Sequence, residues 1–383
     1  GRDDLHNIYS ASKSMSALLT GIAMEEGYID SLHQPALDLF PGYRGSVENV
    51  DDRKESLTLF HLLTMTDGLE WTDGPYLARR KGDFLSLLTA DDGIRYFLDK
   101  PMRDEPGTKW NYNSGSSYML SAIIQNRTGR SALKYAKEKL FEPIGIRDAY
   151  WGTYQEGISN GGSEMFLRPR DFARIGCLVL KEGQWDGKQI IPSKWIHEAT
   201  SEYVKADFLE YGYGYQWYID ESLSHRNVSA GGLGGQYLFV IPDLEMVVVF
   251  TASLIERDPD IIDLPFFHLR DYILPAVKSD QPLPADPETE ARLAGLLDEI
   301  EHPEPSTVPP MPDIAGKISG KTFYFGDREG EDNIWGLESV TLDFTGEEEC
   351  RISYSFSGEV DLDAFGCDAV FRTSMMAEKG LTC

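Results

Sequence analysis

Ser10-Ala11-Ser12-Lys13, close to the start of the chain, sets a nucleophile and a base three residues apart. On a helix, residues i and i+3 share a face, so the Ser10 hydroxyl and the Lys13 ammonium are expected to meet. Ser10 falls in the first turn, where unpaired N–H groups and the positive end of the helix dipole favour an anion. These are the parts of a serine nucleophile whose proton is handled by a lysine. Lys13 can act as a base there if burial and positive surroundings depress its pKa. The spacing alone is a weak signal, because a chain of this size contains Ser-x-x-Lys by chance. A second copy, Ser131-Ala132-Leu133-Lys134, is indeed present. Ser131 precedes an amphipathic run and reads as a helix N-cap with a solvated lysine.

Two other stretches distinguish the first copy. PGTKWNYNSGSSYMLSAIIQNRTG carries Tyr112-Asn113-Ser114 on a loop just before a helix. A tyrosine near a lysine ammonium can share its proton and act as general base. SAGGLGGQYLFVIP is a glycine-rich entry into a strand, and glycine lets a backbone N–H approach a substrate oxygen closely.

In that order, Ser-x-x-Lys, Tyr-x-Ser and the glycine-rich strand resemble the class C β-lactamase-like serine hydrolases. That family includes penicillin-binding esterases (family VIII carboxylesterases), DD-peptidases and 6-aminohexanoate-oligomer hydrolases. The resemblance covers roughly residues 5–278 and is also carried by HLLTMTDGL, MFLRPRDFARIGCLVLKEGQWDGKQIIP and YGYGYQW. It implies Ser10 as the acylated nucleophile, Lys13 as its proton partner, and Tyr112 as the base that activates Ser10 and later the deacylating water. The backbone N–H of Ser10 would be one oxyanion donor. The second is expected near Gly235 or Gln236, in a slot that Gly232 and Gly234 also line. Ser114 stands where many relatives carry Asn, and its hydroxyl could bond Lys13 or the substrate.

Where many relatives have Lys-Thr-Gly or His-x-Gly, residues 230–235 read AGGLGG, with no cation. Without that anchor for a carboxylate, neutral esters or amides are favoured over β-lactams and peptide termini. The expected function is serine hydrolysis through an acyl-enzyme without metal or cofactor, foremost as a carboxylesterase on small esters. An amide hydrolase (D-aminopeptidase, DD-peptidase or oligomer amidase) and a weak β-lactamase are the enzymatic alternatives. A catalytically inactive binding or sensor homologue is the alternative from another class, and the joint presence of Ser10, Lys13 and Tyr112 argues against it.

Periodicity supplies the elements that must position these groups. Residues 10–27, 58–69, 116–129 and the runs ALKYAKEKLF, RPRDFARIGCLVLKEG, PSKWIHEATSEYV and LPFFHLRDYILPAV read as helices. Glu70 to Lys109 reads as loops and short helices over a site, not as a core layer. YGYGYQWYID is strand-like, and QYLFVIPDLEMVVVFTA alternates as a hairpin turning at Pro242–Leu244. Helices followed by antiparallel strands give an α+β class. The resemblance implies a β-lactamase/transpeptidase-like fold: an antiparallel sheet flanked by helices plus a helical lobe, followed by a small all-β C-terminal domain.

The domains are expected at 1–278 (hydrolase), 279–312 (a Pro- and acid-rich linker with one short helix) and 313–383 (β domain). SGKTFYFG, LESVTLDFTG, CRISYSFSG and DAVFRTS are the strands expected in the last. Relatives carry a helix and two strands before the Ser-x-x-Lys helix, where this chain has nine residues. The sequence therefore reads as a fragment lacking one sheet edge, and the β domain as one that stops early.

Composition narrows the partners. Sixty-three acidic against 36 basic residues give a net charge of −27, which repels nucleic-acid phosphates. Cys177, Cys350, Cys367 and Cys383 have no paired spacing and read as free thiols. No run approaches the ~18 apolar residues of a membrane span. Compartment and oligomeric state have no signature here. A Ser-His-Asp reading fails for want of a GxSxG elbow, and His61 reads as a packing or capping residue. AGKISGKT misses a P-loop by one glycine and leads into a strand. The acid runs GDREGED and GEEEC lack calcium-ligand spacing. Trp71, Tyr76, Trp110, Tyr211, Tyr213 and Trp217 are divided between cleft and core.

Overall fold

The computed structural model describes residues 3–74, 82–206, 211–254, 264–302, 311, 313–325, 337–344, 349–356, 359–366, 375–376 and 381–382. Tyr76, Cys367, Cys383, the run GDREGED and the expected strand DAVFRTS lie outside them. Contacts divide the chain into two units, one ending at Lys278 and the other beginning at Ser279.

In the first unit, strand β1 (His6–Asn7) leads through a 3-10 turn at Tyr9–Ala11 into helix α1 (Ser12–Glu25). Every α1 residue from Ser12 to Ala23 is buried, as expected for a helix without a strongly polar face. Gly21 is required by packing: a Cβ there would sit 2.3 Å from the Trp195 ring. Helix α2 (Leu59–Thr64) is capped by Thr58 and His61, with the Thr58 N–H donating to His61 Nδ1 at 3.1 Å. His61 is thus a capping residue, as its sequence context indicated.

Helices α3 (Asp83–Thr89) and α4 (Gly93–Leu98) follow, then α5 (Ser114–Thr128), which is capped by Asn113 and stopped by left-handed Gly129. The segment from Glu70 to Lys109 departs from its reading as a cover over a site. It sends Trp71, Phe84, Leu87 and Phe97 into the main core, and Trp71 packs on Phe97 with ring centroids 5.8 Å apart. The apolar i, i+3, i+4 spacing in DFLSLLT and GIRYFL is short but sufficient to bury one face.

Helix α6 (Ala132–Ala136) starts at Ser131, whose Oγ accepts from the Lys134 N–H at 3.3 Å while the Lys134 side chain is exposed. The second Ser-x-x-Lys is therefore a cap. Strands β2 (Tyr150–Trp151) and β3 (Met165–Leu167) make a three-stranded sheet with β1, in the order β1-β3-β2. Helices α7 (Pro169–Leu180) and α8 (Ser193–Ala199) precede the main sheet.

That sheet comprises β4 (Val204–Lys205), β5 (Gly212–Tyr213), β6 (Tyr218–Asp220), β7 (Asn227–Gly232), β8 (Gln236–Ile241) and β9 (Met246–Phe250), each antiparallel to its neighbour in chain order. The β8–β9 hairpin turns through Pro242–Leu244. Alternation along β8 serves two layers. Leu238 and Val240 join the main core, whereas Phe239 and Ile241 pack with Leu269 and Leu274 of the closing helix. α7 lies close to the sheet because Gly176 is bare; a Cβ there would meet Leu238 and Val247 at 2.6 Å.

One buried cation braces the α3–α4 region. Lys54 Nζ donates to the carbonyls of Glu48 (3.1 Å), Leu98 (2.6 Å) and Lys100 (2.5 Å). Lys54→Met keeps the stem but leaves three carbonyls without their donor, so it is expected to destabilise the fold by about 3 kcal/mol. Urea unfolding checks this, and an unchanged midpoint would remove Lys54 as a brace.

In the second unit, the expected short linker helix is a fifteen-residue helix, α9 (Pro287–Glu301), capped by Asp286. Strands β10 (Lys321–Tyr324), β11 (Leu337–Phe344), β12 (Glu349–Phe356) and β13 (Glu359–Gly366) form an antiparallel meander in chain order. β13 was not among the expected strands. Its acidic residues mask the alternation of Val360, Leu362 and Ala364.

Candidate active site

Ser10 sits in the 3-10 turn ahead of α1, one step before the regular helix. Tyr9 adopts φ +45°, a left-handed conformation held by its N–H donating to Asn7 Oδ1 at 2.8 Å. The Ser12 hydroxyl donates to the Tyr9 carbonyl and closes the turn. Ser10 keeps partial exposure where its neighbours Ala11, Ser12 and Lys13 are buried.

Lys13 Nζ donates to Ser10 Oγ at 3.1 Å and to the Gly162 carbonyl at 2.7 Å, and lies 4.8 Å from the centre of the Tyr112 ring. The Gly162 contact was missed in the sequence. Gly161 has φ +70°, and a Cβ there would lie 2.2 Å from the Ser117 carbonyl; the Ser16 hydroxyl holds the Gly161 carbonyl at 2.9 Å. The paired glycines two residues ahead of MFLRPRDFARIG were the available signal.

Tyr112, Asn113 and Ser114 are set by the start of α5. Asn113 Oδ1 accepts from the Ser116 N–H at 3.1 Å, and its amide donates to Asp67 Oδ2 at 3.1 Å. Asp67 is fully buried and also accepts from the Ser116 hydroxyl (2.8 Å) and the Leu69 N–H (3.0 Å). Burial pushes its carboxyl up, against the opposing pull of these donors. Tyr112 stands beside Ser10, Ser114 and Asp73. Burial first, and the charge of Asp73 second, hold its pKa well above the ordinary tyrosine value, so it rests as a neutral phenol.

Ser114 differs from its expected role beside Lys13. Its hydroxyl donates to Asp73 Oδ2, its N–H donates to Asp73 Oδ1 at 2.9 Å, and Trp71 Nε1 reaches the same Oδ1 at 2.6 Å. Asp73 was not singled out in the sequence, since nothing local marks a carboxylate whose partner lies 41 positions away.

The aromatic candidates sort clearly. Trp71 and Trp217 are core residues. Trp110 packs beside Tyr112 (6.0 Å) and Tyr213 (5.5 Å), forming one wall next to Tyr112. Tyr211 rests on Phe266 at 5.6 Å.

The glycine-rich segment also shifts. β7 ends at Gly232, and a Cβ on Gly232 would lie 2.2 Å from the Ile8 carbonyl and 3.3 Å from the Ala11 nitrogen. Gly232 is therefore the strand residue set against the Ser10 turn. Gly234 (φ +73°) and Gly235 (φ +90°) form the turn beyond it, facing Ala252 and Leu254. Gln236 pairs back to Gly232 in the ladder and exchanges amide hydrogen bonds with Ala252. Gly232→Ala should force the Ile8–Ala11 turn to move and lower kcat/KM about 100-fold. Ester turnover by a folded variant checks this, and wild-type kcat/KM would show that the approach is dispensable. Among the described residues, no three His, Cys, Asp or Glu side chains converge as a metal would need, and no helix is long and apolar enough to cross a membrane.

A partly exposed serine hydrogen-bonded to a buried lysine, with a tyrosine ring against the same ammonium, beside a bare strand end can be compared with known proteins. A model of the beta-lactamase family matches residues 1–263. The chain belongs to the beta-lactamase family. The 6-aminohexanoate-dimer hydrolase of Paenarthrobacter ureafaciens is 25% identical over 276 residues, covering 67% of this chain and 68% of that protein. Among solved structures, simvastatin synthase from Aspergillus terreus superposes with a TM-score of 0.57 at 18% identity, over 73% of this chain and 86% of the other. A family VIII carboxylesterase gives a TM-score of 0.55 at 19% identity, over 69% and 82%. At these identities the two structures establish a shared fold. This beta-lactamase-family chain is a hydrolase of the serine type.

Proposed function

We propose that Ser10 is the nucleophile of an acyl-enzyme mechanism and that small neutral esters are the preferred substrates. The observation that carries this reading is the Lys13 Nζ bond to Ser10 Oγ at 3.1 Å, with the Tyr112 ring 4.8 Å from the same Nζ, beside a glycine-rich strand end that has no cation at residues 230–235. Tyr112 first gives up its own proton to solvent, forming the phenolate beside the Lys13 ammonium, and then takes the Ser10 proton as Oγ attacks the ester carbonyl. The oxyanion is held by the Ser10 N–H and by a backbone N–H at the Gly232–Leu233 strand end. Collapse expels the alcohol, which takes back a proton, and a water activated by Tyr112 releases the acid.

Amide hydrolysis is the second reading, favoured by the name of the Paenarthrobacter relative. Mapping a fluorophosphonate adduct by mass spectrometry tests the nucleophile. An adduct on the Ser10 peptide supports it, and an adduct elsewhere or none overturns it. A panel of p-nitrophenyl esters, D-amino-acid anilides and nitrocefin tests the substrate class. Esters cleaved fastest support the proposal, whereas nitrocefin cleaved fastest would defeat the argument from the missing cation.

A further inference from the structure

The YGYGYQW stretch runs through the β5–β6 hairpin, and Gln216 stands at its tip, where the Gly214 N–H donates to the Trp217 carbonyl at 2.9 Å. Gln216 has φ +60°, in the left-handed region that favours glycine. A side chain in that conformation persists only where its surroundings over-determine it. Here they do, because Gln216 is buried and each of its polar groups is engaged. Its amide nitrogen Nε2 donates to the carbonyls of Leu62 (3.1 Å) and Leu63 (2.9 Å) in the last turn of α2. Its Oε1 accepts from the Ser117 hydroxyl of α5 at 2.6 Å. Its backbone carbonyl accepts from the Ser14 hydroxyl of α1, also at 2.6 Å. Its backbone N–H is shared between the carbonyls of Leu63 (3.0 Å) and Gly214 (3.1 Å). One residue ties three helices together.

Those three helices set the reacting groups. Ser14 follows Lys13 directly, so its bond to Gln216 fixes the turn of α1 that aims the ammonium. Ser117 lies three residues beyond Ser114, in the helix that Tyr112 leads into. Past the end of α2, the Met65 carbonyl accepts the Asn111 N–H at 2.9 Å, immediately ahead of Tyr112. Lys13 and Tyr112 are distant in the chain, and only such tertiary links can set the 4.8 Å between Nζ and the ring centre. We propose that Gln216 is a positioning residue for the reaction, which cross-links α1, α2 and α5 and thereby fixes Tyr112 against the Lys13–Ser10 pair. Its hydrogen bonds go to Ser14, Leu62, Leu63, Ser117 and Gly214, none of which reacts, so it acts through the helices. Glycine would suit the backbone better, but it would take the acceptor from the buried Ser117 hydroxyl and end the link between α2 and α5.

The proposal rests on Tyr112 being the base, and kcat and KM for a p-nitrophenyl ester, with and without Tyr112→Phe, test it. Gln216→Met keeps the length of the side chain and removes its polar atoms. It should lower kcat about 10- to 100-fold while KM stays within about twofold. Ser117→Ala deletes one hydroxyl and should lower kcat about 5-fold, so it carries the test if Gln216→Met folds poorly. Added to Tyr112→Phe, either substitution should cost less than about a further twofold, because no phenol oxygen remains to be misplaced. A merely structural Gln216 would instead reduce activity by one factor in both backgrounds, through a smaller folded fraction. Equal losses in the two backgrounds, a raised KM at unchanged kcat, or single variants within about twofold of the wild-type kcat would each overturn the positioning role. Full activity in Tyr112→Phe would overturn the base itself, so the two failures are told apart.

Discussion

Ser10→Ala is expected to abolish fluorophosphonate labelling and lower kcat/KM by about 10⁴-fold or more, with the melting temperature unchanged. The size follows from the role: without Oγ no acyl-enzyme forms, and the remaining groups can only steer water. The unchanged stability follows from the site. Ser10 is partly exposed, its turn is held by Asn7 and by Ser12, and Lys13 keeps the Gly162 carbonyl at 2.7 Å. Labelling of Ser10→Ala at the wild-type rate would show that another residue is the nucleophile. A variant that melts well below wild type would show that the hydroxyl has a structural duty that its contacts do not reveal.

How much of this was legible beforehand depended on the range over which each signal acts. The cap at Ser131 and the cap at His61 are local, and the residues three positions apart declared them. The Ser10–Lys13 pair was legible for the same reason, but the left-handed Tyr9 that offsets Ser10 from the helix was not. A non-glycine residue at positive φ leaves no mark in a sequence. A run of glycines carries no alternation to pin a strand's register, so AGGLGG did not reveal which of its glycines stands against the Ile8–Ala11 turn; the structure puts Gly232 there. Asp73 was invisible because its meaning comes entirely from partners brought together by the fold: Ser114 above it and Trp71 beside it.

Tyr112→Phe should lower kcat/KM by about 10²- to 10⁴-fold while the fold survives. The ring stays useful to packing, since it rests beside Trp110 and under the Lys13 ammonium, and phenylalanine preserves both contacts. What disappears is a single oxygen beside Ser10 and Ser114. Its loss removes the acceptor proposed for the Ser10 proton. Because the same oxygen is assigned to the deacylating water, both halves of the cycle should slow, and a p-nitrophenyl ester should show slower acylation and slower steady-state release alike. Loss in acylation alone would leave deacylation to another base. Full activity in Tyr112→Phe would move proton transfer to Lys13, whose Nζ is already 3.1 Å from the nucleophile.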